Sequence, residues 1–267
     1  MKTPKDLKPK WDFDFLLHRA GYSADSQYRK QLRELHPGIS DEDLEKRFQE
    51  EDFLSHALHN IKVMVEGTLE MFNGEECTSY LYDSGNYRYN IATIRPYKGN
   101  RVNIVRPKYM DEMKKYMVDV YDARLVRGME SDDAIAIDHY ADTDKYSVII
   151  AQDKDLIQGV PGWVFNPIKD ELKYNSLADA NMFHFYQMLV GDTADNIPGI
   201  RGIGDKKASA LIAGNDNNID RVRTIVQELY KKEYGDMWQP CYEEVSRLLW
   251  ILRKPEQLDT GCPFLYA

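Results

Sequence analysis

The sequence predicts an α/β fold whose last third is mostly helical. Three observations predict it. Short apolar runs that read as strands alternate with helical stretches in the first part of the chain. KYSVIIA (145–151) is the clearest of these runs and reads as a strand buried in a sheet. Beyond residue 176 the pattern turns helical. At 267 residues and 43% hydrophobic, the chain can bury a substantial core in one large domain or two closely joined ones.

The elements follow in order. PKWDFDFLL (9–17) reads as a strand running into a helix. Residues 40–72 read as one long helix, opened by Ser40 and Asp43 in a capping-box-like arrangement. Leu54, Leu58, Ile61, Val65, Leu69 and Phe72 then keep helical spacing. CTSYLY (77–82) reads as a strand ending at Asp83. TIRPYKGNRVNIVR (93–106) is basic and holds glycine and proline breakers, which predicts a loop or a mobile arch, and a helix follows over 108–121. ARLVRGMESDDAIAI (123–137) predicts a short strand, a turn and a helix from near Ser131. After the fourth strand, helices are expected over 176–190, 205–213, 218–232 and 240–252.

Composition narrows the function. No run of 18 apolar residues predicts a membrane span, and the N-terminal residues MKTPKDLKPK lack the apolar stretch of a signal peptide. Cys77, Cys241 and Cys262 are scattered and form no CxxC pair, so neither a disulfide framework nor a zinc site is expected, and the chain reads as a cytoplasmic protein. Six histidines show no metal-ligand spacing, and His18 and His184 read as packing or surface residues. No GxxxxGK[ST] is present, so ATP hydrolysis is not indicated.

The net charge of −9 argues against a general nucleic-acid binder, unless the acids are gathered in one place. Their positions suggest that they are. Asp12 ends the first strand and Asp83 the second; Glu130, Asp132 and Asp133 follow the third; Asp153 and Asp155 follow the fourth. In open α/β sheets the carboxyl ends of the strands converge on a ligand crevice. Asp192 and Asp195 add two more near the end of a helix. Nine carboxylates in one cleft would raise one another's pKa unless divalent cations neutralised them. Hard ions such as Mg²⁺ prefer such oxygen ligands. Two of them about 4 Å apart can hold both reacting oxygens of a phosphodiester. Setting these nine acids aside takes the formal charge from −9 to zero, so a DNA partner is compatible with the composition.

The segment VGDTADNIPGIRGIGDKKA (190–208) sets such acids beside a glycine-rich basic turn. Gly202 and Gly204 let backbone amides approach a phosphate. The helix from near Asp205 points its positive end there, and Lys206 and Lys207 add cations.

These motifs resemble those of the 5′-nuclease family: flap endonucleases, the 5′-nuclease domains of bacterial DNA polymerase I, and bacteriophage 5′–3′ exonucleases. GMESDDAIAI is similar to the family's G-x-E-A/S-D-D segment, and IIAQDKDLIQ to its strand followed by D-x-D. VGDTADNIPGIRGIG resembles G-D-x-x-D-N-I-P-G with the following G-I-G hairpin, and YKGNR (97–101) resembles the Y-K-x-N-R arch segment. The four occur in the family's order over residues 97–208.

The resemblance implies a PIN-like 5′-nuclease fold with a central, mostly parallel sheet flanked by helices. A C-terminal helical region would carry a helix–hairpin–helix element. The implied division is an α/β nuclease domain over 1–175, with an arch over 93–125, and a closely packed helical region over 176–267 with the DNA-binding element over 190–213. Asp12, Asp83, Glu130, Asp132 and Asp133 would bind a first metal, and Asp153, Asp155, Asp192 and Asp195 a second. Asp12 and Asp14 are two candidates for one role, and the register of Arg19 favours Asp12. Lys98 would be the catalytic lysine, with Arg101 nearby. Arg19 would touch phosphate, Tyr97 would stack on a terminal base, and Gly202, Gly204, Lys206 and Lys207 would grip the duplex.

The implied activity is two-metal hydrolysis of DNA near a 5′ end, by a 5′–3′ exonuclease, a flap endonuclease or both, with removal of RNA primers and RNA–DNA hybrids as a further substrate. The cofactors would be Mg²⁺, with Mn²⁺ able to substitute, and K⁺ at the hairpin. The chain would be a monomer in phage replication or genome degradation, in the cytoplasm of a bacterial host. Two other readings stay open: a catalytically silent DNA-junction-binding protein, and an RNA-directed PIN-like nuclease.

Overall fold

The fold comes from a computed structural model that describes residues 3–101, 104–143, 146–215 and 218–265. Lys145 of the expected fourth strand and Val102 and Asn103 of the basic loop lie outside the described residues. The first half runs β1 (Lys8–Asp12), α1 (Phe13–Leu35), α2 (Asp41–Glu50), α3 (Leu54–Leu69), β2 (Thr78–Ser84), α4 (Arg88–Ile91), α5 (Met110–Tyr121), β3 (Arg124–Arg127) and α6 (Ser131–Ala141). Then follow β4 (Ser147–Ile150), α7 (Lys154–Gly159), β5 (Gly162–Asn166), β6 (Glu171–Asn175), α8 (Leu177–Val190), β7 (Gly191–Asp192) and β8 (Ile197–Pro198). The chain ends with α9 (Asp205–Ala213), α10 (Ile219–Tyr234), α11 (Trp238–Leu249) and α12 (Gln257–Thr260).

The six-stranded sheet has the order β3-β2-β1-β4-β5-β6. Its strands are parallel except for the last pair, where β5 and β6 are antiparallel. This confirms a mixed α/β fold with a central, mostly parallel sheet. All four residues of β4 are buried, which is why its run is apolar throughout. On one face Leu16, Ile61, Met113 and Met117 join the core under α1, α3 and α5; on the other, Ile135 and Leu156 from α6 and α7 cover the sheet. A further core joins α8, α10 and α11 around Phe185, Val226, Tyr230 and Val245. Among the described residues no helix is long and apolar enough to cross a membrane.

Two expectations are corrected. Residues 40–72 are not one helix. Ser40 caps α2 through the Asp43 amide, but the chain breaks at Glu51–Phe53 and Asp52 restarts it by accepting from the Leu54 amide at 3.0 Å. The hairpin β5–β6 lies where no strand was expected. Within the segment expected as an arch, the helix expected over 108–121 is present as α5, which lays Met110, Met113 and Met117 into the core, and residues 96–101 are bonded to 193–196.

Candidate active site

The sheet reverses its strand order between β1 and β4, and ligand crevices open beyond the carboxyl ends of strands at such a point. A cleft of about 830 Å³ lies there. Asp12, Asp14, Glu130, Asp132 and Asp153 line it, with Lys98, Arg101 and Lys154. Each carboxylate is placed by a helix start. Asp12 caps α1 by accepting from the Asp14 amide at 3.0 Å, and Asp153 caps α7 through the Asp155 amide at 2.8 Å. Glu130 is the cap residue of α6. The positive ends of three helices therefore face the acids.

The electrostatics are tense. Burial pushes the Asp12 carboxyl well above its usual pKa, and repulsion from Asp14 and Asp153 adds to it. Burial does the same to Asp132, reinforced by Asp12, Asp153 and Glu130. Glu130 departs in the other direction: burial raises its pKa, but the charges of Arg88 and Lys98 more than offset that. Lys98 pairs with Glu130 and stands 3.9 Å from Asp195. Its backbone takes the left-handed conformation at φ 54°, held by its amide donating to the Asp195 carbonyl at 2.9 Å. Asn100 Nδ2 and Arg101 Nε donate to the carbonyls of Thr193 and Ala194, and Arg101 pairs with Asp195 at 2.6 Å.

A second group lies beside the first. Asp155 lies within reach of the charges of Asp153, Asp192 and Asp195. Burial pushes Asp155 up to about 7, with Asp153 the next cause. Lys154 donates to Asp192 at 2.5 Å, and Gln187 Nε2 to Asp155 at 2.7 Å. Of the acids expected at the site, seven gather in these two groups and two do not. Asp83 is turned away, its carboxylate held by Arg127 and Lys114, and Asp14 takes the cleft position by accepting from the Tyr82 amide at 2.8 Å. Asp133 is fully buried and spends both oxygens on Arg88, the Leu252 amide and the Glu130 amide, so the structure does not bring it into the cleft lining.

Tyr97 is also corrected. It is buried, and its hydroxyl donates to Asp195 at 2.7 Å and lies 3.2 Å from Glu130, so its ring is not available for stacking on a base. Tyr89, packed edge-on against it and 54% exposed, lines the cleft instead. Arg19 is exposed on α1 and faces an adjoining groove. Gly202, Gly204, Lys206 and Lys207 lie at the exposed start of α9, outside the cleft lining. Gly202 has φ +78°, and a Cβ at either glycine would meet nothing within 4 Å. Sequence reasoning missed Arg88, Asn86, Tyr82 and Lys154. Only Lys154, flanked by Asp153 and Asp155, had a visible signal.

No family model matches the chain. It is 33% identical over 142 residues to thermostable DNA polymerase I of Thermus aquaticus, covering 46% of this chain and 17% of that protein. It is 32% identical over 114 residues to a 5′-3′ exonuclease of Mycoplasmopsis pulmonis, covering 39% of this chain and 37% of that one. The matches thus span well under half the length of these relatives. Among solved structures, the T5 D15 protein co-crystallised with metal ions superposes with a TM-score of 0.54 at 18% identity, over 96% of this chain and 94% of that one. T5 5′-exonuclease with zinc bound gives 0.53 at 17% identity, over 97% and 96%. The relatives found by sequence and the neighbours found by fold are those of the 5′-nuclease resemblance, and the chain has the fold of the T5 5′-exonuclease.

Proposed function

We propose that the chain is a metal-dependent 5′-nuclease that hydrolyses DNA phosphodiesters at or near 5′ ends, as a 5′–3′ exonuclease, a flap endonuclease or both. One observation carries the reading: five carboxylates from three segments, the starts of α1, α6 and α7, converge on a cleft that Lys98 and Arg101 also line.

The donor set fits hard divalent ions. It offers carboxylate oxygens, and crowding raises the proton affinity of Asp132, through Asp12 and Asp153, and of Asp12, through Asp14 and Asp153. Among the described residues no three His, Cys, Asp or Glu side chains are drawn close enough to cage an ion directly. Mg²⁺ or Mn²⁺ would take such carboxylates directly or through bound waters. Asp12, Asp14, Glu130, Asp132 and Asp153 would hold one ion, and Asp153, Asp155, Asp192 and Asp195 a second. Bound there, the ions supply Lewis-acid charge at the phosphodiester.

The chain's own residues do the rest. Lys98 and Arg101, released from Glu130 and Asp195, donate to the phosphoryl oxygens as charge develops. Tyr97 and Arg88 keep Glu130 oriented and ionised. Tyr89 offers an exposed ring to a terminal base. The 176–267 region would grip the duplex as a helix–hairpin–helix element: Gly202 and Gly204 open the backbone to phosphate, Lys206 and Lys207 add charge, and K⁺ would sit on the hairpin carbonyls. RNA–DNA hybrids are a second substrate of the same geometry, and the chain would act as a monomer.

The test uses a 5′-flap duplex and a blunt duplex, each labelled at both ends, with Mg²⁺, with EDTA and with Asp153→Asn. Mg²⁺-dependent products that vanish in both controls support the reading, and their lengths separate flap cutting from trimming. Duplex that is bound but never cut with Mg²⁺ or Mn²⁺ overturns it in favour of a junction-binding role.

A further inference from the structure

We propose that the groove between α1 and α3 takes the single-stranded 5′ segment of the strand being cut. The inference rests on the 5′-nuclease reading of the acidic cleft and gives a role to residues 54–69.

Continuity comes first. A groove of about 1070 Å³ opens beside the cleft and shares Phe15, His18 and Gln152 with it. A strand leaving the cleft on that side enters the groove directly. Charge comes second. The chain carries 44 acidic residues, and five of them line the cleft, yet none lines the groove. Arg19, His59 and Asn60 stand there instead, and Asn60 Nδ2 is a buried donor with no partner. A nucleic-acid strand is rich in acceptors for such donors.

The groove suits a single strand better than a duplex. Val63 and Ile168 are 55% and 40% exposed on its walls, and Tyr22, stacked on His18 at 6.0 Å between ring centroids, is 42% exposed. Apolar and aromatic walls favour unpaired bases, whose faces a duplex hides. Gly67 is the last observation. It lies inside α3, where glycine weakens a helix, and a Cβ there would meet nothing within 4 Å. Packing therefore gives no reason for glycine; an open backbone facing a ligand does.

Gly67 also supplies the test. Glu and Lys are better helix formers than Gly, so Gly67→Glu and Gly67→Lys should both fold, which melting curves check. Their side chains differ little in reach and are opposite in charge. Affinity is measured by fluorescence anisotropy in Ca²⁺ for a blunt duplex and for the same duplex with a 5′ tail of about ten nucleotides. Gly67→Glu is expected to weaken binding of the tailed duplex about fivefold and leave the blunt duplex unchanged, with Gly67→Lys at or above wild type. Equal effects on both duplexes, or none on either, overturn the groove assignment. Binding is read without cutting, so a protein that shows the tail-specific loss but never cleaves with Mg²⁺ would sink the nuclease reading alone.

Discussion

Arg88 and Asp133 face each other as a fully buried bidentate pair, with Nη1–Oδ2 at 2.5 Å and Nη2–Oδ1 at 2.9 Å. The same guanidinium donates to the carbonyls of Leu248 and Trp250, and Asp133 accepts from the Leu252 amide. The pair therefore ties the start of α6, which presents Glu130 and Asp132, to the chain after α11. Removing one partner leaves an uncompensated buried charge. Asp133→Ala is expected to cost about 3–5 kcal/mol of stability, read as a fall in Tm by calorimetry. A Tm within a degree or so of wild type would show that the acid has another role.

Asp83 and Asp14 make a sharper contrast: the family resemblance implies Asp83 as a ligand and sets Asp14 only against Asp12, yet Asp14 lines the cleft and Asp83 does not. Asp83→Asn should leave cleavage within about threefold of wild type, since Arg127 and Lys114 hold that carboxylate outside the cleft. Asp14→Asn should lower kcat by about a hundredfold or more. Kinetics on the flap substrate with each variant decide between them.

Asp132 links activity to stability with opposite signs. Its ionised form is disfavoured by burial and by Asp12, Asp153 and Glu130. Asp132→Asn removes that repulsion, so the metal-free protein should melt higher while cleavage falls by at least about a hundredfold. Calorimetry in EDTA and a cleavage assay in Mg²⁺ read the two halves.

The pH dependence has two limbs. Asp155 titrates at about 7 in the folded chain and near 4 when unfolded. Between those values the native state holds a proton that the unfolded state has lost, so the metal-free protein loses stability as pH rises from about 4 to 7. Asp155→Asn should flatten that fall, and Mg²⁺ should reverse it. His139 works on the acid side. Burial lowers it to about 4, and its ring bridges Ser147 Oγ at 2.8 Å and the Pro161 carbonyl at 3.1 Å. Unfolded, it takes its proton near 6.5, so stability falls by about 3 kcal/mol as pH drops from 6.5 to 4. Tm against pH for His139→Gln should lack that share of the fall.

What the sequence reveals follows from how local each signal is. β1 to β4 and α8 to α11 are legible because apolar runs and helix caps are short-range patterns. The hairpin β5–β6 is not, because ELKYN carries charge and β6 is largely exposed at the sheet edge. The break before α3 turns on a single side chain, Asp52, which accepts from the Leu54 amide inside an otherwise continuous helical spacing. Acids after strands mark the cleft, but which carboxylate faces inward depends on neighbours far along the chain. Arg127 and Lys114 claim Asp83, and Arg88, 45 residues away, claims Asp133. The long-range pairing that decides these roles leaves no periodicity to read.

The seam between residues 96–101 and 193–196 reaches past the cleft it helps to build. Lys98 is bonded to Asp195, and the chain needs only the residues from 196 to 204 to reach the start of α9. Within that span Gly199 is pressed so closely against Gly191 that a Cβ on Gly191 would stand 2.3 Å from the Gly199 amide. On the proposed function, grip and cut would be mounted on one bracket, and the bracket would work as a gauge. The position of the severed bond relative to a held duplex would then be set by backbone length, not by base sequence. A one-residue insertion within 199–203 would shift where the enzyme cuts before it changed how fast.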